Sequence, residues 1–251
     1  MITLGFDTST RATAVGLRLP DGRTLHARDD PGSDERPGHA TRLLAMADEL
    51  LAEAEIPWAA LERIAVGLGP GRFTGLRVGV ATARGLAQSL AVALVGVSTL
   101  RALASPALAA AGESERVVAV IDALRGEVFA AGYGATAGEA ALAGLEFPRP
   151  LRADELGGAL PRTGAVGALA VGDGALRYRA QLEAAGARVP DEESPLHLVQ
   201  GAAICELGVR AAPREGYEWL VPDYRRRADA EGVRGAVGSG RSRGELQGAQ
   251  R

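Results

Sequence analysis

Four short clusters carry side chains whose types and spacing could do chemistry. Asp7-Thr8-Ser9-Thr10 sets a carboxylate directly before three hydroxyls, which can hold a phosphate and its metal or, as an Asx-type turn, satisfy its own backbone. Gly67-Leu68-Gly69-Pro70-Gly71 opens onto an apolar run, and the free N–H groups of such a turn can cradle phosphate. A phosphate loop, however, needs Gly-Lys-Ser/Thr where this chain has Gly71-Arg72-Phe73. Asp122 closes a third apolar run, and Gly172-Asp173-Gly174 makes a turn that could lie against an adenosine. The three histidines, His26, His39 and His197, have no ligand spacing, and Cys205 has no CxxC partner. Neither a metal centre nor a cofactor is expected, and His39 reads as a polar group at a helix end.

These clusters must be positioned by recognisable elements. Residues 2–6 form a short strand ending at Asp7. Strands over 12–19 and 23–28 flank Pro20-Asp21-Gly22, whose Asp-Gly pair suits positive φ and predicts a hairpin. After a polar loop over 30–38, Leu43, Leu44, Ala47, Leu50, Leu51 and Ala54 trace one face of a helix of about four turns, closed by Pro57. A strand over 61–66, a helix over 73–90, a strand over 92–97 and a helix from Ser98 toward Ala104 complete the first half. Pro106 and the Ala/Gly run to Gly112 mark a boundary.

The order then restarts. Residues 117–121 end at Asp122, 127–133 form a second strand, 165–171 a third, and 175–185 a helix, while 134–144 carry little signal. Ser194-Pro195 opens a last helix to about Ala211 that would pack back on the first half. This order predicts an α/β protein of the actin-like ATPase fold with two similar halves, the second degenerate. The first domain spans 1–105 plus 196–225 and the second 106–195; the Gly/Ser/Arg/Gln-rich tail over 226–251 reads as disordered.

Composition excludes several classes. A chain of 251 residues that is 47% hydrophobic can bury one large or two small cores. No apolar run approaches the roughly 20 residues of a membrane span, and MITLGFDTST lacks a signal pattern, so a cytoplasmic protein without membrane contact is expected. A net charge of −3 supplies no global field for nucleic acid.

Along the central helix Gly71, Gly75, Gly79, Ala83 and Ala87 recur every fourth residue, a side-chain-poor stripe that costs about 1 kcal/mol per interior glycine. Such a stripe serves close approach of another backbone, either from this chain or from a second one. The second-chain reading is preferred. It places Leu43, Leu44, Ala47, Leu51, Gly69, Gly71, Phe73, Thr74, Gly75, Arg77, Gly79 and Ala83 on a partner interface, two helices from each protein forming a four-helix bundle.

FDTST, GLGPGRFTGLRVGVATARGLA, LVGVSTL, DALRGEVFAAGY and VGDGALRY together resemble the bacterial TsaB family, also called YeaZ, over nearly the whole chain to about Arg227. The resemblance implies a subunit of the complex that installs threonylcarbamoyladenosine on tRNA at the adenosine following the anticodon, in tRNAs reading codons that begin with A. In that family TsaB pairs with its catalytic paralogue TsaD, and a small ATPase, TsaE, joins them. Contact with tRNA is then indirect, and a homodimer is an alternative when the chain is alone. Where the paralogue has a metal-binding His-x-x-x-His, the matching positions are Thr99 and Leu103, and no nucleophile–base pair supports the family's older glycoprotease label. Two departures stand out: Arg72 replaces a usually small residue, and Arg225 follows Tyr224 where the family has an apolar one. The competing reading is a free-standing ATPase or kinase of the same fold using Asp7, Thr8, Ser9, Asp122, Gly172 and Gly174 around a nucleotide. It is weakened by Ser9 and Ala123-Leu124-Arg125 standing where such enzymes carry glycine-rich phosphate loops.

Overall fold

The computed structural model describes residues 1–32, 34–110, 116–134, 143–146, 150–159 and 167–225. The expectations for 135–142, for 165–166 and for the tail from 226 lie outside the described residues.

The first lobe runs β1 (Thr3–Asp7), β2 (Thr13–Arg18), β3 (Thr24–Asp29), α1 (His39–Glu53), β4 (Arg63–Gly67), α2 (Phe73–Leu90), β5 (Ala93–Val97) and α3 (Thr99–Ala110). Its sheet has the order β3-β2-β1-β4-β5, with β1, β2 and β3 antiparallel and β1, β4 and β5 parallel. A hairpin start followed by two helical crossovers is the topology of an actin-like half. The β2–β3 turn differs in detail from expectation: only Gly22 takes positive φ, with Gly22 N–H donating to Leu19 O (3.1 Å) and Leu19 N–H to Arg23 O (2.8 Å). A three-residue connection needs a single left-handed residue to close it. Helix α1 also ends before Pro57. Glu55 turns left-handed, and the N–H groups of Glu55 and Ile56 donate back to Ala52 and Leu51, a complete C-terminal cap.

The second lobe runs β6 (Arg116–Leu124), β7 (Glu127–Gly134), β8 (Ala143–Glu146), β9 (Leu151–Arg152), α4 (Leu156–Ala159), β10 (Leu169–Val171), α5 (Asp173–Arg177) and α6 (Arg179–Ala184). Its sheet is ordered β10-β6-β7-β8, with β9 also on β7. The chain returns through a 3-10 turn at Pro195–His197 into α7 (Gly201–Arg210).

Three boundaries differ from the sequence expectation. Pro106 lies inside α3, because a proline eight residues into a helix loses only one hydrogen bond and α3 is held on both sides by tertiary packing. Gly172 precedes α5, and Asp173 and Gly174 are that helix's first residues rather than a turn; the helix expected over 175–185 breaks at Tyr178. Ser194 opens only the 3-10 turn, its hydroxyl accepting from Leu196 N–H (3.4 Å), and the long helix begins seven residues later.

One face of the first sheet (Leu4, Phe6, Val15, Leu17, Ile64, Val66, Leu94) packs under Leu43, Met46, Ala47, Leu50 and Leu51 of α1 and Val80, Ala83 and Ala87 of α2. The other face is crossed by α7, which contacts all five strands. It sits close because Gly5 and Gly16 face it: a Cβ at Gly5 would lie 2.7 Å from Cys205 Sγ, and Gly16 and Gly201 exclude one another's Cβ. The Arg63 guanidinium then closes the end of α7 by donating to the carbonyls of Gly208 (2.6 Å) and Ala211 (2.9 Å). Helix α3 joins the lobes, burying Leu100, Leu103, Ala104 and Ala107 against Val117, Ala119, Ile121 and Phe129 of the second sheet.

Candidate functional site

The acid at the end of β1 is fully committed inside the chain. Asp7 is 1% exposed; its Oδ1 accepts from Ser9 N–H (2.8 Å) and Ser9 Oγ (2.7 Å), and its Oδ2 accepts from Thr99 Oγ1 (2.6 Å). Thr99, at the first position of α3, also accepts from Gly69 N–H (3.1 Å), so one hydroxyl ties the β1 turn to the glycine loop. Thr8 Oγ1 donates to the Gly75 carbonyl (2.7 Å) and Ser9 O accepts from Arg72 N–H (2.7 Å). The Asp7 carboxylate and the Thr8 and Ser9 hydroxyls are thus all engaged within the chain.

The glycine stripe faces that same turn. A Cβ at Gly75 would fall within the van der Waals radius of Thr8 O, one at Gly79 on Thr8 Oγ1, and one at Gly71 on Ser9 O. The close backbone approach inferred from Gly71, Gly75 and Gly79 is therefore to this chain's own β1–β2 connection, which corrects the preferred second-chain reading of the stripe. Leu43, Ala47, Leu51 and Ala83 are also turned inward, each at most 2% exposed, because the sheet rather than a partner covers them; Gly69 is buried beside Leu76. Of the expected interface residues, Leu44 (45% exposed), Phe73 (38%), Thr74 and Arg77 face outward.

His39 is likewise interior, not an exposed helix end. It is 5% exposed with Nδ1 2.9 Å from Thr13 Oγ1, and burial lowers its pKa below the ordinary histidine value against the opposing pull of Asp7 and Asp29. Burial pushes the Cys205 thiol up to about 12, leaving it an inert core group. Among the described residues no group of three His, Cys, Asp or Glu side chains could hold a metal, and no helix is long and apolar enough to cross a membrane.

In the second lobe, Asp122 Oδ1 accepts from Leu124 N–H (3.0 Å) and Oδ2 from the Arg177 guanidinium (2.9 Å). Gly172 and Gly174 are buried against β6: a Cβ at Gly172 would collide with Val120 O, and one at Gly174 would lie 2.9 Å from the Ile121 carbonyl carbon. Their missing side chains let α5 pack directly on β6.

Asp7 and Asp122 are not brought into one open site. Asp7 lies beneath the glycine helix, whereas Asp122 lines a cavity of about 780 Å³ between the start of α2, the β6–β7 hairpin and the Asp223–Arg225 segment. At its rim Leu124, Arg125 and Gly126 all take positive φ, two of them non-glycine residues. The roles of Thr99, His39 and Tyr224 escaped the sequence reading, because each depends on a neighbour tens of residues away.

An actin-like two-lobed molecule whose first-strand acid is consumed by internal hydrogen bonds is the class that this geometry defines. Residues 35–159 match the family model described as TsaD: tRNA N6-adenosine threonylcarbamoyltransferase. The chain is 38% identical over 133 residues to the tRNA threonylcarbamoyladenosine biosynthesis protein TsaB of Escherichia coli K12, covering 53% of this chain and 55% of that protein. It thus spans about half the length of the curated relatives it matches. Two solved structures are covered almost fully: YeaZ from Pseudomonas aeruginosa (32% identity, 88% of this chain and 98% of that one, TM-score 0.71) and a protein from the same organism described as similar to peptidase YeaZ (33%, 90% and 99%, TM-score 0.73). The chain belongs to the TsaB (YeaZ) family.

Proposed function

We propose that this protein is a non-catalytic, partner-binding subunit of the complex that adds the threonylcarbamoyl group to the adenosine following the anticodon in tRNAs reading codons that begin with A. The pathway is supported by the name of its curated relatives and by the TsaD-type family match. The observation that carries the non-catalytic reading is the Thr99–Asp7 hydrogen bond at 2.6 Å, which occupies the carboxylate that a nucleotide-bound metal would need. In this reading a TsaD-like catalytic paralogue docks on the outward faces of α1 and α2, and a TsaE-like ATPase joins the pair. Leu44 and Ala45 of α1 with Phe73, Thr74, Arg77 and Ala81 of α2 are the exposed residues that such a docking would cover. The buried stripe acts indirectly, by seating α2 close to the β1 turn and fixing the angle of that face.

The test is capture of a TsaD-like protein from the cell's own extract by the tagged chain, identified by mass spectrometry. Leu44→Asp should keep its melting behaviour within about 0.5 kcal/mol, as expected of an exposed site, while losing the partner. ATP hydrolysis by the purified chain alone, abolished by Asp7→Asn, would overturn the reading.

A further inference from the structure

The rim cavity carries charges that the fold does not use. Four arginines (Arg36, Arg72, Arg125, Arg225) and two aspartates line it. Both aspartates are already paired, Asp122 with Arg177 at 2.9 Å and Asp223 with Arg225 at 2.7 Å. The guanidinium groups of Arg36 and Arg72 make no hydrogen bond or ion pair among the described residues. In a chain of net charge −3, the cavity is thus a local site of uncommitted positive charge. Beside it stand two rings with centroids 5.2 Å apart: Phe73, 38% exposed, with the Arg77 guanidinium over its ring at 3.9 Å, and Tyr224, 45% exposed; Leu124 completes the rim at 39%.

Guanidinium groups without partners recognise phosphate through paired N–H donors, and an exposed aromatic face accepts a nucleobase of any type. We propose that this cavity binds a nucleotide unit of an RNA strand, its phosphates on Arg36 and Arg72 and a base stacked on Tyr224. A free nucleotide offers the same chemistry. The strand is the better fit because both carboxylates of the cavity are ion-paired, Asp122 with Arg177 and Asp223 through Oδ2 with Arg225, so neither offers its full charge to a triphosphate-bound metal. The choice of RNA rests on the tRNA-pathway reading above; the anion site itself does not. The cavity opens at the N-terminal end of α2, so a bound strand would lie at the edge of the proposed partner face.

The test is fluorescence anisotropy with the purified full chain and a short single-stranded RNA at about 50 mM and 200 mM salt, with AMP, magnesium ATP and inorganic phosphate as competitors. Binding that weakens with salt, falls about tenfold or more in Arg72→Ala and in Arg36→Ala, and falls for RNA and AMP but not for phosphate in Tyr224→Leu is expected. Arg36 is exposed, so its variant keeps the test valid if Arg72→Ala folds poorly. RNA binding unchanged in both arginine variants, or a lowered melting temperature in Arg72→Ala with intact binding, would overturn the proposal by making Arg72 a strut between lobes. Tighter binding of AMP or ATP than of RNA would overturn the strand assignment. Capture of the TsaD-like partner is measured in parallel: its loss with RNA binding intact refutes the subunit reading alone, and its retention without RNA binding refutes only this site.

Discussion

The two lobes begin with the same device, a strand ending in an aspartate that turns into an antiparallel partner, and they put it to opposite ends. At β1 the acid is 1% exposed, roofed by α2 and clamped by Thr99 from α3. At β6 the turn stands free at a cavity rim, with Leu124 exposed and two non-glycine residues in left-handed conformation. The difference lies in what crosses above the turn. A helix with glycine at positions 71, 75 and 79 can lie on the backbone of the first turn, whereas the helix after Gly172 packs on β6 below the second. A repeated topology therefore fixes where a site can be, and the small residues of one crossing helix decide whether it stays open.

That contrast can be broken from the closed side with the largest effect. Gly75→Leu forces a side chain into Thr8 O and should destabilise the fold by about 3 kcal/mol or more, since backbone cannot yield as a side chain can. Urea denaturation checks this, and a normally folded variant would reopen the second-chain reading of the stripe. Thr99→Val should cost about 2–3 kcal/mol, because it strips a donor from a buried carboxylate and an acceptor from Gly69 N–H, while Thr99→Ser should restore most of it.

A smaller effect sharpens the comparison through pH. His39 sits at the closed turn with its pKa lowered by burial, opposed by Asp7 and Asp29 and reinforced by Arg72. Its folded form binds a proton less readily than its unfolded form, so its contribution to stability is complete above the ordinary histidine value of about 6.5 and is lost as pH falls below it. Melting temperatures between pH 7.5 and 5 should show this loss, and His39→Gln should reduce the slope. The least effect is expected on the open side: Leu124→Gly relieves a left-handed leucine while adding chain entropy to the unfolded state, leaving stability within about 0.5 kcal/mol. A large loss there would mean that the hairpin is held as firmly as the first turn.

Periodicity alone located the helix over Phe73–Leu90 and the succession of strands and helices in the first lobe, since a stripe every three to four residues and an alternating run are local properties. It misjudged Pro106, which reads as a breaker in sequence but is carried through α3 by packing against both β7 and α7. It also named Asp7, Thr8 and Ser9 without being able to say whether they stood open, because the residue that closes them is 92 positions from Asp7.

By itself the sequence determined the actin-like order of elements and the need for some backbone to lie against Gly75 and Gly79, which follow from spacing and side-chain size, while its motifs carried the family resemblance. Only the tertiary structure decided which backbone that was. The stripe's complement is the Thr8 carbonyl, a group every residue possesses, so nothing in its own sequence marks it. The same holds for the unpaired Arg36 and Arg72: an arginine's commitment depends on whether a carboxylate reaches it across the lobes, and that distance exists only in the folded chain.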